Sequence, residues 1–551
     1  MDWLRLKLYV SNDRAISFEK HDLPKYSLLS RSKLFFNKAN SSTFIWSSEE
    51  GCQSIFSSSC KVKTYITKDY GASFDHLVDN VSACRFLGSF LNSTTYDIDE
   101  NLIVCDQRSS TGMALSLISS SDYFKSETET VFPSIIGSTE TGEFLVVARL
   151  NDDNSLTAFI TADGKNYAEA KFPADVKVDK QTAYTVLDVR SKQIFLHVTT
   201  SAKNNREFGA LLKSNYNGTM YVQSIDHVNR NFAGYIDFES IQSLEGISLL
   251  NIVSNADEVR DNGEEKKLKS MITYNDGAQW SYLTPPAVDS EGNKYSCNGK
   301  LEDCSLNLHS FTERVDPGRD TYSSYSAIGM LFGLGNVGSE LKDESDGDTA
   351  LFFTKDAGAT WKEVKKGQYM WEFGDQGTLL VIVNVAEKTN ILSYSIDEGD
   401  TWTDYQFATD EVQVYDIATV TADTSSKFLV LSRSADDKDT VYVVDFSGVY
   451  DRQCYLDFDD KGRSDDFEYW TLKHPFQADN CLFGREQKYL RRKADHTDCF
   501  IGAAPLSKGF ESTRQCACAR TDFECDYNYV LDSDGTCKLV KGLSPIDERS
   551  H

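Results

Sequence analysis

At 551 residues, with 40% apolar and 12% aromatic side chains, the chain can bury one large core or several. Its net charge of −27 argues against a nucleic-acid or anionic-membrane partner and fits a protein able to attract basic segments. No apolar stretch reaches bilayer length; Thr378 to Val383 reads as a buried strand.

The start, Met1 to Leu8, is broken by charges and does not read as a signal peptide. Ser11 to Phe18 is then the first of eight segments built on one plan: Ser or Thr, any residue, Asp, any residue, Gly, two residues, an aromatic. This copy keeps Asp13 but has Ala15 for the Gly. Thr67 to Phe74, with Asp69 and Gly71, is complete. Ser120-Ser121-Asp122 lacks the Gly, and Thr161-Ala162-Asp163-Gly164 is one residue short before Tyr167. Ser214 to Tyr221 has Tyr216 in place of the Asp, and Thr273 to Trp280 has Asn275 there. Thr354 to Trp361, with Asp356 and Gly358, and Ser395 to Trp402, with Asp397 and Gly399, are complete.

The copies follow short apolar runs such as Leu351-Phe352-Phe353. The Asp carboxylate can accept backbone N–H bonds, the Gly supplies positive φ, and the aromatic opens the next strand and enters the core. Most Asp positions recur every ~40–60 residues, the length of a four-stranded propeller blade. Runs of Val, Ile, Tyr and Phe between Asp, Asn, Gly and Ser predict an all-β chain. These Asp boxes read as structural staples, so no catalytic residue is assigned to them.

Of 13 cysteines, Cys52 and Cys60 flank a short loop, Cys84 and Cys105 bracket a hairpin-sized segment, and Cys297 and Cys304 flank another loop. Each of these pairs is expected to be a disulfide. Cys454, Cys481, Cys499, Cys516, Cys518, Cys525 and Cys537 crowd the C-terminal end, the pattern of a disulfide-stapled module. Cys516-Ala517-Cys518 with Cys525 lacks the second pair that a zinc site needs, so no metal or cofactor is expected. Glycosylation sequons at Asn40, Asn80, Asn92 and Asn217 agree with a lumenal environment.

Several stretches resemble the sortilin-type sorting receptors, and most of all the second of the two tandem ectodomain units of the fungal members. They are Met271 to Trp280 with Leu283-Thr284-Pro285-Pro286, Cys297, and Cys304 to His309. Thr321 to Ser324, Gly335 to Gly338, Tyr369 to Asp375, Cys516 to Cys518 and Asp522 to Tyr527 extend the similarity. The resemblance implies a ten-bladed propeller followed by a ten-cysteine module. Here that reads as residues 1–453, about nine blades without the first, and 454–551, an incomplete module. Its last, box-less blade is expected around Phe428 to Phe446. The family's pairing, carried over, joins Cys454 to Cys499, Cys481 to Cys516 and Cys525 to Cys537, leaving Cys518 unpaired.

The same resemblance implies a receptor that binds soluble vacuolar hydrolases or other cargo in the Golgi lumen and delivers them through endosomes to the vacuole. It would reach the membrane only through segments that this chain does not carry. Acid release is expected from carboxylates, since 84 acidic residues face 8 histidines. Animal members hold a peptide carboxylate with an arginine before one box. The matching position here is Leu156, which leaves Arg149 on the preceding strand as the weak candidate for ligand binding.

Two rival readings stand beside the receptor. One is a truncated or degenerate paralogue that sorts nothing; the other is a sialidase-like glycosidase, whose arginine cluster is not seen, since Arg149, Arg190 and Arg230 fall singly. Gly333 to Gly338 matches the dinucleotide fingerprint, but an acidic, non-helical segment follows it, so no nucleotide is expected.

Overall fold

The computed structural model describes residues 7–11, 17–24, 34–50, 61–92, 95–108, 115–152, 156–174, 176, 185–187, 193–202, 206–297, 299–312, 322–419, 423–434, 436–459, 463–475, 480–502, 506, 511–532 and 534–545. Among them the chain is nearly all β, with one short α-helix, Ala256–Asp261. It divides into two compact units, Met1–Val198 with Leu212–Val222, and Thr199–Leu211 with Gln223–His551.

In the first unit Phe35–Phe36, Phe44–Glu50, Lys61–Thr67 and Asp75–Asp79 form an antiparallel meander. Ile45 and Ile66 lie opposite each other and are both buried, so period-two alternation sends them to one core face. Two further meanders are fused through the 13-residue strand Glu129–Thr141. Its first half pairs with Leu115–Ser120 and its second half with Phe144–Leu150. The register shifts on both sides of Phe132 and again after Ile135. Pro133 lies in that stretch and has no N–H to give the ladder, which suits it to a bulge.

In the second unit three four-stranded meanders follow in chain order. They are Phe238–Ser240, Ser248–Val253, Leu268–Thr273 and Ser281–Tyr282; Ser305–Leu308, Leu331–Gly338, Ala350–Thr354 and Lys362–Lys366; and Tyr369–Gly374, Leu379–Asn384, Ile391–Ser395 and Thr403–Gln406. In each the box joins the third strand to the fourth, so the sheets are β-propeller blades. Gln413–Ala418, Lys427–Arg433 and Asp439–Asp445 make a last, box-less blade of three strands. Leu379–Asn384 is buried along its length between neighbours such as Phe428 and Val430, in keeping with its uninterrupted apolar sequence.

A disulfide-rich module closes the same unit. Phe467–Thr471, Cys481–Leu482 and Glu511–Gln515 pair with Arg485–Arg492, and Arg452–Gln453 runs parallel to Cys499–Phe500. Cys454 is joined to Cys499, Cys481 to Cys516 and Cys525 to Cys537; Cys518 is free and exposed. Closing the 45-residue separation between Cys454 and Cys499 removes unfolded-chain entropy on the order of 4 kcal/mol. Cys84 and Cys105 are bonded across adjacent strands, and Cys297 to Cys304 across a loop. Cys52 and Cys60 lie outside the described residues.

Candidate functional site

The site is built from the boxes. In the complete copies the first hydroxyl does two jobs. Thr354 Oγ1 donates to Asp356 Oδ1 at 2.7 Å and accepts the Gly358 N–H at 3.0 Å; Ser395 and Thr67 repeat the pattern. The Asp then accepts both the N–H and the hydroxyl of the residue four places on: Ser73, Thr360 or Thr401. Bonds from Ser73 hold the Asp69 carboxyl down to about 2. This second hydroxyl is in the sequence but outside the consensus read from it.

Two successive residues in each complete turn have positive φ, as at Ala357 and Gly358. A Cβ on Gly358 would meet Ile272 Cδ1 at 2.8 Å, and one on Gly399 would meet Phe353 at 2.8 Å. Each glycine therefore serves both the turn and a close approach to the preceding blade. The imperfect copies at Ser120, Thr161, Ser214 and Thr273 still turn, while Asp13 and Ala15 of the first copy lie outside the described residues. Phe124 takes the Gly position at φ 57°, donates its N–H to Ser120 at 2.9 Å, and Asp122 accepts from Ser126. Ser214 departs further: its hydroxyl accepts the N–H of Ile194, and Asn215 organises the turn through Thr219 and Met220.

Three consecutive boxes carry the cysteine module. Asn275, buried in the Thr273 box, donates its side-chain amide to the Thr521 carbonyl at 2.5 Å. Arg491 donates to the Lys355 carbonyl in the next box at 3.1 Å, and Arg492 to the Ile396 carbonyl in the third at 2.6 Å. Arg491 also pairs with Glu398 at 3.1 Å, both being almost fully buried. Alongside, Arg485 pairs with Glu245 at 2.5 Å. Leu472, Leu482 and Tyr489 of the module share one core with Ile241, Leu283 and Trp361 of the blades. The module is thus packed as core, and three of its polar contacts meet backbone or side chain of the boxes.

The Tyr369–Gly374 strand ends in a second clasp. Asp375, Gln376 and Gly377 have φ of 46°, 61° and 89°, three left-handed residues in succession. The turn lets the buried Asp375 carboxylate accept the N–H groups of Ile501 at 2.8 Å and Gly502 at 2.7 Å. Gln376 donates to the Gly502 carbonyl and accepts from Leu506 N–H. Burial raises the Asp375 carboxyl and depresses the Arg492 guanidinium. Between clasp and arginines lies a cavity of about 90 Å³, lined by Tyr325, Met330, Thr378, Leu490 and Arg492 among others. That volume suits a few waters rather than a peptide.

Residues 5–417 match the family described as Sortilin, neurotensin receptor 3, and residues 419–551 match its C-terminal part. The chain belongs to the sortilin family. It is 50% identical over 556 residues to Vacuolar protein sorting/targeting protein 10 of Komagataella phaffii, covering 98% of this chain and 36% of that one. The same-named protein of Debaryomyces hansenii is 50% identical over 546 residues, covering 98% and 34%. Vacuolar protein sorting/targeting protein PEP1 of Saccharomyces cerevisiae is 46% identical over 545 residues, again covering 98% and 34%. This sortilin-family chain thus spans about a third of the length of these relatives. Among solved structures, the β-propeller domain of the Pyrococcus furiosus trilobed protease aligns at TM-score 0.28 and 10% identity, covering 68% of this chain and 97% of that one. Trypanosoma rangeli sialidase aligns at TM-score 0.21 and 11% identity, covering 79% and 57%. The family is one of receptors, not enzymes.

Arg149 stands exposed on Phe144–Leu150, opposite Thr157. Leu156 is half-buried at the start of the adjoining strand. Asn40, Asn80 and Asn217 are exposed, whereas Asn92 is half-buried and donates its amide to Glu143 at 3.0 Å. Gly333 to Gly338 lies inside the Leu331–Gly338 strand, followed before the next strand by only a three-residue 3-10 turn, Glu344–Asp346, and no α-helix; a Cβ on Gly335 would sit 1.9 Å from the Asn307 carbonyl oxygen. Those glycines serve strand approach. Cys454, Asp466 and Cys499 come together, but both sulfurs are in a disulfide and Asp466 is held by Arg452 and His496. That trio offers no thiolate to a metal.

Proposed function

We propose that this chain is a lumenal, cargo-binding unit of a vacuolar sorting receptor. It binds soluble vacuolar hydrolases or similar proteins in the Golgi lumen for delivery through endosomes to the vacuole. The observation that carries this reading is identity of 46–50% to fungal vacuolar protein sorting/targeting proteins over 98% of the chain. The disulfides and exposed sequons suit an oxidising, glycosylating compartment. The boxes serve blade turns and module docking, which leaves cargo recognition to the blade surfaces and edges. Residues 1–453 act as the propeller and 454–551 as the module that braces it.

Co-precipitation of soluble vacuolar hydrolases with the secreted, glycosylated chain, at neutral and at endosomal pH, tests the proposal. Capture at neutral pH and release in acid is the expected result. No capture at either pH overturns it and leaves a relic that no longer sorts. An unchanged gel mobility after glycosidase treatment would remove the lumenal assignment.

A further inference from the structure

Arg491 and Arg492 are the only two adjacent arginines in the sequence, and Lys493 follows them. The other neighbouring bases are the lysine pairs Lys266-Lys267 and Lys365-Lys366. Two guanidiniums on successive residues of an extended segment can each take a carboxylate in bidentate fashion. An endoprotease with acidic subsites selects paired bases by that chemistry, and a lysine, as a point charge, satisfies such a subsite less well. In an oxidising lumen this tripeptide therefore reads as a cleavage sequence.

The fold withholds everything such an enzyme needs. Lys488 to Arg492 are laddered to Phe467–Thr471. The Lys493 N–H, which belongs to the bond after Arg492, donates to the Asp466 carbonyl at 3.0 Å. Arg491 is 7% exposed and Arg492 3%. Arg491 donates to the Lys355 carbonyl, pairs with Glu398, and sets its guanidinium 5.2 Å from the centre of the Trp470 ring. Arg492 donates to the carbonyls of Cys499 at 2.8 Å and Ile396 at 2.6 Å. Lys355, Ile396 and Glu398 sit in two blade boxes, so the side chains that a protease would read are those that hold the module down. All of these residues lie in the second unit. Cys454–Cys499 and Cys481–Cys516 both span the bond after Arg492, so a cut there leaves the two pieces joined.

We propose that Arg491-Arg492 is a latent processing site, masked while the module is docked and uncovered when it lifts. Its enzyme is an endoprotease of the subtilisin type that cuts after paired bases. Water adds across the Arg492–Lys493 peptide bond, leaving a carboxylate on Arg492 and an amine on Lys493, with no oxidant or cofactor involved. When closing outpaces cleavage, the rate follows the population of the opened form, so the cut reports how firmly the module is held. The nick is not reversed, and it marks a chain whose module has come off its boxes. The proposal rests on the lumenal part of the receptor reading.

The test treats the secreted 551-residue chain with a purified endoprotease specific for paired bases, and with trypsin as a general reporter of opening. The native wild type should stay whole. Asn275→Asp, which loosens the dock without touching the arginines, should be cut after Arg492 about tenfold faster. Urea below the global unfolding transition opens the wild type as a second route and should give the same cut. Reducing gels should then show residues 1–492 and 493–551 apart, and non-reducing gels one band. Arg492→Lys added to Asn275→Asp should leave trypsin cleavage in place and remove the paired-base cut, which a merely structural role for Arg492 would not do. Equal cutting of native wild type and Asn275→Asp overturns the proposal. So does an opened chain, by variant or by urea, that trypsin cuts within Arg485–Arg492 and the paired-base enzyme does not. A chain without glycan sinks the lumenal reading whatever the protease does; a glycosylated chain that opens and stays uncut after Arg492 sinks this proposal alone.

Discussion

The side-chain amide of Asn275 donates to the backbone carbonyl of Thr521 across 246 positions of sequence. Asn275 still accepts from Thr273 at 3.0 Å and from Gln279 N–H at 2.9 Å, so it performs the box's usual work with one oxygen. Its nitrogen is what an aspartate would lack. The departure from consensus is therefore a docking contact.

Restoring the consensus should weaken the protein. Asn275→Asp would turn a carboxylate oxygen toward the Thr521 carbonyl in a buried site, at a cost of about 1–3 kcal/mol. Chemical denaturation should show the loss, and limited proteolysis should release the module sooner. A variant as stable as the wild type would remove the docking role.

The Asp375 clasp should fail on truncation. Asp375→Ala leaves the Ile501 and Gly502 amides without their acceptor, costing ~3 kcal/mol for the buried hydrogen-bonded group. Amide exchange at those two residues should rise before exchange in the Leu379–Asn384 strand does. Equal protection in variant and wild type would contradict the clasp.

Acid should act on the junction through a histidine, with Asp375 working the other way. His474 is buried 5.9 Å from the Tyr274 ring, and burial lowers its pKa below 6.5, with Asp522 opposing the shift. Its depressed folded value means that its contribution to stability is intact above 6.5 and lost as pH falls toward that folded value. Asp375, raised by burial, contributes fully below the ordinary value of 3.8 and loses that contribution as pH rises through its folded value. The thermal midpoint should therefore fall from pH 7.5 to about 5.5, and the fall should shrink in His474→Gln. The same fall in both proteins would exclude this histidine.

Two glycines with similar backbones separate turn strain from crowding. Gly358 and Gly347 have φ of 85° and 79°, but a Cβ meets Ile272 only at Gly358; at Gly347 nothing lies within 4 Å. Gly347→Ala should cost about 1 kcal/mol for the left-handed backbone, and Gly358→Ala about 1–3 kcal/mol more as the blade contact is forced apart. Similar denaturation midpoints for the two variants would reduce the box glycine to a turn residue.

Cys518 is exposed, and its sulfur lies 2.9 Å from where a Cβ on Gly484 would stand. Alkylation of the native, unreduced chain should modify Cys518 and spare Cys454, Cys481, Cys499, Cys516, Cys525 and Cys537. Recovery of Cys518 in an intramolecular disulfide by non-reducing peptide mapping would contradict this pairing scheme.

The boxes were legible in the sequence because their chemistry is local: hydroxyl, carboxylate, positive-φ residue and aromatic all fall within eight positions. The blade length followed from their spacing, the all-β class from runs of Val, Ile, Tyr and Phe between turn residues, and the family from motifs such as Tyr369 to Asp375. What those motifs do was not legible. That Asp375 receives Ile501 and Gly502, and that Arg491 and Arg492 reach the carbonyls of Lys355 and Ile396, are decided by tertiary structure. Contacts over about a hundred residues or more leave no spacing in a single sequence, and a backbone carbonyl looks the same beneath any side chain. Sequence determined the turns; packing decided which of them would hold the module.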